Sequence, residues 1–169
     1  MPSSQLRFIT TGMLRVSVPR AATCSSCLKN DDGVFDVEHV YFSRNRKNDL
    51  GGFVLYDGFI YDISDRRGWV CQNLESGDLE WYSNRVRGSL GLGSIVYADG
   101  NLILYAERKA EVAMIEATPD GYEQKGRFEF PERFDRRSPS GRNWPHSVIA
   151  NGKLYLRDQE LLSRYKINE

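Results

Sequence analysis

Six short glycine turns constrain this chain more than any other feature. They are Asp32-Gly33, Asp57-Gly58, Ser76-Gly77, Asp99-Gly100, Asp120-Gly121 and Asn151-Gly152. Asp-Gly and Asn-Gly favour tight hairpins because both central residues must take positive φ, which glycine tolerates freely and Asn or Asp better than most residues. The six alternate in kind. Gly58, Gly100 and Gly152 each join two apolar runs, as in Phe53-Val54-Leu55-Tyr56-Asp57-Gly58-Phe59-Ile60-Tyr61. Gly33, Gly77 and Gly121 fall between them, in more polar surroundings. Within each kind the turns recur every 42 to 52 residues. That is about the length of a four-stranded unit repeated along a chain.

Strand patterns fill the intervals. Expected strands are Val34–Phe42, Gly52–Leu55, Phe59–Ser64, Gly68–Asn73, Leu79–Ser83, Ser94–Ala98, Leu102–Ala106, Val112–Ala117, Tyr122–Phe130, Ser147–Ile149, Leu154–Arg157 and Leu161–Ile167. Short strands at such intervals imply an all-β sandwich, barrel or propeller, and the alternation of turns selects the propeller. The expected fold is all-β, a partial β-propeller of about 3–4 four-stranded antiparallel blades over residues 28–169. Residues 1–27 read as an irregular N-terminal segment, although Phe8-Ile9-Thr10-Thr11-Gly12 has strand-and-turn character. The stretch Arg133 to Arg142, with four arginines, reads as a solvated loop between strands.

Bulk composition narrows the partners. Lys plus Arg and Asp plus Glu both total 23, so the formal net charge is zero. Such balance argues against nucleic acid or an anionic membrane as an obligatory partner. No apolar run reaches the length of a transmembrane helix. Residues 1–20 carry no secretory signal: Arg7 and Arg15 interrupt them and no continuous apolar stretch follows.

Three cysteines, Cys24, Cys27 and Cys71, exclude a complete disulfide framework by their odd number. Cys24-Ser25-Ser26-Cys27 has the C-x-x-C spacing of redox pairs and half zinc sites. It lacks the βαβ context of the first, and His39 and His146 show no partner spacing for the second. Cys71 reads as a small core residue.

Trp69 to Trp81 is the strongest local motif. An apolar strand leads to Asn73, a Ser76-Gly77 turn, and Trp81 four residues after Gly77. It resembles the tryptophan-docking motif of PQQ-like β-propeller repeats, the quinoprotein alcohol dehydrogenase-like group. Trp144 to Gln159 followed by Leu161 to Ile167 is similar to a terminal blade of bacterial members. The resemblance covers roughly residues 28–169 and implies a fold more than a function, since the group joins quinone-dependent dehydrogenases, an outer-membrane-assembly lipoprotein and cofactor-free members.

What the resemblance implies for chemistry is limited. Dehydrogenase members carry adjacent cysteines, a calcium held by Glu, Asn and Asp, and a catalytic Asp; none can be placed here. No catalytic, cofactor-binding or metal residue is therefore assigned. The leading expectation is a non-catalytic module for protein interaction or cell-envelope assembly, without cofactor, as a fragment of a longer propeller. The alternative is part of a PQQ-dependent alcohol or polyvinyl-alcohol dehydrogenase, which would need the quinone and calcium. Expected partners are another protein or a second copy completing the ring. The resemblance implies an exported or periplasmic protein, in tension with residues 1–20.

Several polar groups stand out at strand ends. Asp65-Arg66-Arg67 and Glu107-Arg108-Lys109-Ala110-Glu111 are charged turns whose ordinary role is a rim salt bridge. His146 precedes a strand and is a candidate to face the central channel, against the commoner role of a half-buried histidine. Arg157-Asp158 suits an inter-blade ion pair. Asn48-Asp49-Leu50-Gly51-Gly52 leads into a blade, and its glycines permit close backbone approach near the channel. It is the first place to expect a ligand.

Overall fold

The structure, a computed structural model, describes residues 6–12, 22–31, 34–43, 48, 52–65, 67–108, 111–130 and 146–167. They form fourteen strands: β1 (Leu6–Gly12), β2 (Ala22–Asp31), β3 (Val34–Ser43), β4 (Phe53–Tyr56), β5 (Phe59–Ser64), β6 (Gly68–Asn73), β7 (Leu79–Tyr82), β8 (Gly93–Ala98), β9 (Asn101–Ala106), β10 (Glu111–Glu116), β11 (Gln124–Glu129), β12 (Val148–Ala150), β13 (Lys153–Asp158) and β14 (Leu161–Lys166). A single 3-10 turn, Ser83–Arg85, is the one helical element among the described residues.

The strands meander antiparallel into four sheets, β1–β3, β4–β7, β8–β11 and β12–β14. Two have four strands and two have three. The all-β partial propeller expected from the turns is what the chain forms. The hairpins at Asp57-Gly58, Asp99-Gly100 and Asn151-Gly152 carry positive φ at both central residues: 49° and 79°, 45° and 75°, 50° and 65°. This is the turn whose twist matches paired strands.

Turns of the other kind are built differently. At Ser76-Gly77 only Gly77 has positive φ, 77°. Asn73 holds this turn, its Oδ1 accepting from the backbone N–H of Glu75 and Ser76 at 2.9 and 3.1 Å. Asp120-Gly121 is no tight hairpin. Gly121 lacks positive φ, and residues 117–123 form a longer connection between β10 and β11. Gly33 lies outside the described residues.

The N-terminal expectation needs correction. Residues 6–12 and 22–31 are strands, paired from Leu6↔Leu28 to Gly12↔Ala22, where an irregular segment is expected. Ala22–Asp31 has no aromatic or β-branched aliphatic residue to signal a strand. Its strand character comes from backbone pairing with β1 and β3 on either side. Cys24 and Cys27 both lie on this strand.

Blades pack through apolar faces. Between β4–β7 and β8–β11 sit Tyr61, Ile63, Trp69, Cys71, Trp81, Leu102, Leu104, Ala113 and Ile115. Between β8–β11 and β12–β14 sit Ile103, Tyr105, Val112, Phe130, Leu154 and Leu156. Alternation explains the division: 102, 104 and 106 face one neighbour, and 103 and 105 the other. Strand β9 is thus buried on both faces, and Leu102 to Ala106 reads as a continuous apolar run. The first strand of this blade, β8, touches β4 and β12, which places these strands innermost. There Gly93 is pressed against β9: a Cβ would stand 1.8 Å from the Tyr105 carbonyl oxygen.

An aromatic side chain bridges each junction. Tyr41 of β3 lies over Gly77, where any Cβ would meet its ring at 2.8 Å. Trp81 of β7 reaches into the next blade; its Nε1 donates to the Thr118 carbonyl at 2.8 Å, and its ring meets Tyr122 edge-on at 6.0 Å. Phe128 and Phe130 pack on Tyr165 of the last sheet at 4.9 and 6.0 Å.

Two predictions follow from this core. Trp81→Ala removes both the ring and the inter-blade hydrogen bond, and should cost about 3–5 kcal/mol in denaturant unfolding. Trp81→Phe keeps most of the area and should cost about 1–2 kcal/mol. Burial pushes the Cys71 thiol from 9.0 up to about 12, the adjacent Tyr61 hydroxyl partly opposing and the Glu80 carboxylate adding to it. The unfolded thiol loses its proton from about pH 9 while the folded one keeps it. Stability should therefore fall as pH rises from about 9 to 12, and less steeply in Cys71→Ala. A series of unfolding curves across that range checks the sign.

Candidate functional site

Meander topology sorts the connections onto two faces. Hairpins 57–58, 99–100 and 151–152 share one face with connections 74–78 and 117–123. The opposite face gathers Asp65 and Arg67 between β5 and β6, Glu107 and Arg108 after β9, the turn 159–160, and the starts of β4, β8 and β12. Candidates flagged at separate points of the sequence thereby come to one side of the fold.

Two of them meet. His146, at the lead into β12, is exposed, and its Cε1 is 3.2 Å from where a Cβ on Gly52 would stand. Asn48 anchors the same spot, its Nδ2 donating to the Gly52 carbonyl at 2.8 Å. His146 thus stands exposed beside Gly52 at the start of β12, where a half-buried histidine is the commoner expectation. Asp49, Leu50, Gly51, Arg66, Lys109, Trp144 and the arginine-rich stretch 133–142 lie outside the described residues.

A cavity of about 310 Å³ opens on this face between the connection from β7 to β8 and strands β9–β11. Ser89, Gly91 and Leu92 form one wall, from the connection that leads out of β7. Ala106, Glu107, Arg108, Glu111 and Arg127 form the other. Register explains how the second wall assembles. Ala113 pairs with Arg127 and Glu111 with Glu129, so Arg127 lies diagonal to Glu111 on the same sheet face. Arg127 Nη2 pairs with Glu111 Oε2, and Nη1 donates to the Gly88 carbonyl at 2.6 Å. One guanidinium thus neutralises a buried carboxylate and ties the blade to the connection.

That connection is held at several further points. Trp69 Nε1 donates to the Leu90 carbonyl at 3.0 Å, Ser89 Oγ donates to the Ser83 carbonyl at 2.9 Å, and the Glu107 N–H donates to Leu92 at 2.7 Å. Ser83 Oγ accepts from the Trp69 N–H at 2.9 Å. The cavity wall is therefore preorganised. Glu107 is nearly buried, and Arg108, largely exposed, stands 3.6 Å from its Oε1. Two carboxylates and two guanidiniums balance the charge, and Leu92 and Ala106 supply apolar surface. Such a lining suits one polar or charged side chain from a partner.

Other candidates take structural positions. The Arg157 Nε donates to the Gln159 carbonyl at 2.7 Å, and the Tyr105 hydroxyl crosses between blades to donate to the Arg157 carbonyl at 3.0 Å. Asp158 is buried. His39 lies exposed on β3. Among the described residues no group of three or more His, Cys, Asp or Glu side chains converges as a metal site. Sequence reasoning flagged Glu107, Arg108 and Glu111 but missed Arg127, which a hairpin alignment of β10 with β11 places beside Glu111.

Arg127→Leu should cost about 2 kcal/mol in stability, because Glu111 is left buried without its counter-charge while the guanidinium's partial exposure tempers the loss. Adding Glu111→Gln should recover much of it. Equilibrium unfolding of the single and double variants measures both.

No protein-family profile and no curated protein matches this chain. Among solved structures it is similar to BamB from Moraxella catarrhalis, with 8% sequence identity and a TM-score of 0.59. The likeness covers 87% of this chain and 46% of that one, so the chain spans about half the length of its structural neighbour. At such identity the likeness is one of fold alone, and with the four meandering sheets it makes this chain a partial β-propeller.

Proposed function

We propose that this chain is a non-catalytic PQQ-like propeller module for protein interaction or cell-envelope assembly, and a portion of a longer propeller. The observation that carries the reading is the preorganised, charge-balanced cavity on the face where the charged turns gather. Its walls come from rigid blade elements, and its contents are paired ions and short apolar side chains. That chemistry recognises a side chain on another protein surface, with Arg108 exposed in its lining.

In the same reading Ser76-Gly77 with Trp81 is the tryptophan-docking element of a PQQ-like repeat. The Trp81 N–H to the Thr118 carbonyl supports it, because the indole spans two blades as such an element must. The half-length match to a propeller of known structure supports the idea of a larger ring. The dehydrogenase alternative draws no support from the cavity. A quinone bearing carboxylates would meet Glu107 and Glu111, and the two guanidiniums near them are already engaged.

Two measurements test the proposal. A photo-crosslinking amino acid at position 108 should capture a specific protein partner in cells, whereas the same group at Asp99, on the opposite face, should not. Capture at neither position, or equally at both, would count against docking on this face. Added PQQ with calcium should leave the unfolding midpoint unchanged; a rise that scales with ligand concentration would revive the dehydrogenase reading.

A further inference from the structure

The equal totals of Lys plus Arg and Asp plus Glu conceal a separation of charge between the two faces. The turns 57–58, 74–78, 99–100 and 117–123 hold Asp57, Glu75, Asp78, Asp99, Asp120 and Glu123, and no Lys or Arg. On the opposite face the connection from β7 to β8 carries Arg85, Val86 and Arg87, and holds no acid between Ser83 and Leu92. Turns on a propeller face stay open however many blades complete the ring, so this polarity is independent of further blades.

Tyr82 organises the arginine side. The Arg67 guanidinium lies 5.2 Å from the centre of its ring, and that of Arg85 5.5 Å. The backbone holds both in place. The Asn84 N–H donates to the Arg67 carbonyl at 2.9 Å, and the Val86 N–H to the Ser83 carbonyl at 2.9 Å. Gly68 packs so closely here that a Cβ would stand 2.6 Å from Ser83 Oγ. Arg85, Val86 and Arg87 are all exposed, and among the described residues no carboxylate pairs with Arg85 or Arg87. A guanidinium over a ring attracts it through its face, while its N–H donors lie in its own plane, where a carboxylate binds bidentately.

We propose that Arg67, Tyr82 and Arg85, continued by Val86 and Arg87, dock a short acidic segment of a partner protein. Its carboxylates pair with Arg85 and Arg87, and an apolar side chain between them rests on Val86. The acidic opposite face repels such a segment and steers it here. A nucleic acid needs a longer cation track, which Asp65 and Glu107 interrupt on this face. A second copy of this chain fits poorly. Its acidic face carries only one or two acids per turn, and a head-to-tail stack of opposite faces leaves both ends open. The proposal rests on reading the chain as a protein-interaction module and names the partner's chemistry. The same connection, 83–92, supplies Ser89, Gly91 and Leu92 to the cavity wall.

The test titrates the isotope-labelled full chain with a short peptide centred on glutamate–leucine–glutamate and follows backbone amide shifts. Amides of Arg67 and of residues 84–88 should move saturably, and a glutamine–leucine–glutamine peptide should leave them in place. Combined Arg85→Glu and Arg87→Glu, both exposed and outside the core, should weaken binding by about tenfold or more. Arg85→Lys retains the charge but loses the planar fork, and should weaken binding by about threefold. The proposal is overturned if the acidic peptide fails to bind, if both peptides bind alike, if the shifts cluster elsewhere, or if the charge reversal has no effect. It is also overturned if oligodeoxythymidine binds the same arginines more tightly than the peptide does, since a nucleic acid would then be the occupant. Assemblies in light scattering that the reversal dissolves would overturn it in favour of a second copy. Failure here alongside specific crosslinking from position 108 would remove the arginine site and leave the interaction reading intact.

Discussion

The reach of one aromatic side chain from each outer strand into the next sheet governs this architecture. A three- or four-stranded meander has two faces, and in a single sheet at least one is left wet. Trp81 resolves this for its blade by burying a large ring and satisfying its one polar atom on the Thr118 carbonyl. The energetic logic is that of any buried tryptophan: area drives the contact and the N–H fixes its position. Tyr41 over Gly77 and Phe128 with Tyr165 repeat the arrangement at the other junctions, using shape and ring packing without an indole. The repeat in the turns is thus matched by a repeat in what each blade does for its neighbour.

From that stacking the polar face follows. The connection out of β7 must travel from an outer strand to the inner β8, and it crosses the junction above the packed rings. Its backbone is fastened by Trp69, Ser83 and Arg127. A buried glutamate next to it would be costly alone, and Arg127 offsets the cost by pairing with it and with the Gly88 carbonyl. The cavity arises because a charged turn and a pinned connection meet over an apolar floor.

Much of the fold was legible because its signals are local. Strands Phe59–Ser64 and Gly68–Asn73 match expectation at both ends, since Asp57-Gly58 and Gly68 punctuate them. Positive φ at Asp57, Asp99 and Asn151 was readable from residue type alone. What escaped was non-local. Ala22–Asp31 is a strand through its neighbours, with little in its own side chains to mark it. Asp120-Gly121 looks like a hairpin turn yet sits in a seven-residue connection, 117–123, that places Thr118 under Trp81. Arg127 meets Glu111 through hairpin register, and Gly52 meets His146 across blades, distances that no spacing along the chain encodes.

The central claim is that consecutive meanders stack face to face with Trp81 spanning the junction. Nuclear Overhauser contacts of the Trp81 indole proton in the folded chain test it most directly. The account predicts contacts from that proton to Thr118 and from the ring to Tyr122, with slow exchange against solvent. An indole proton that exchanges rapidly, with contacts confined to its own sheet, would contradict the stacked-blade arrangement.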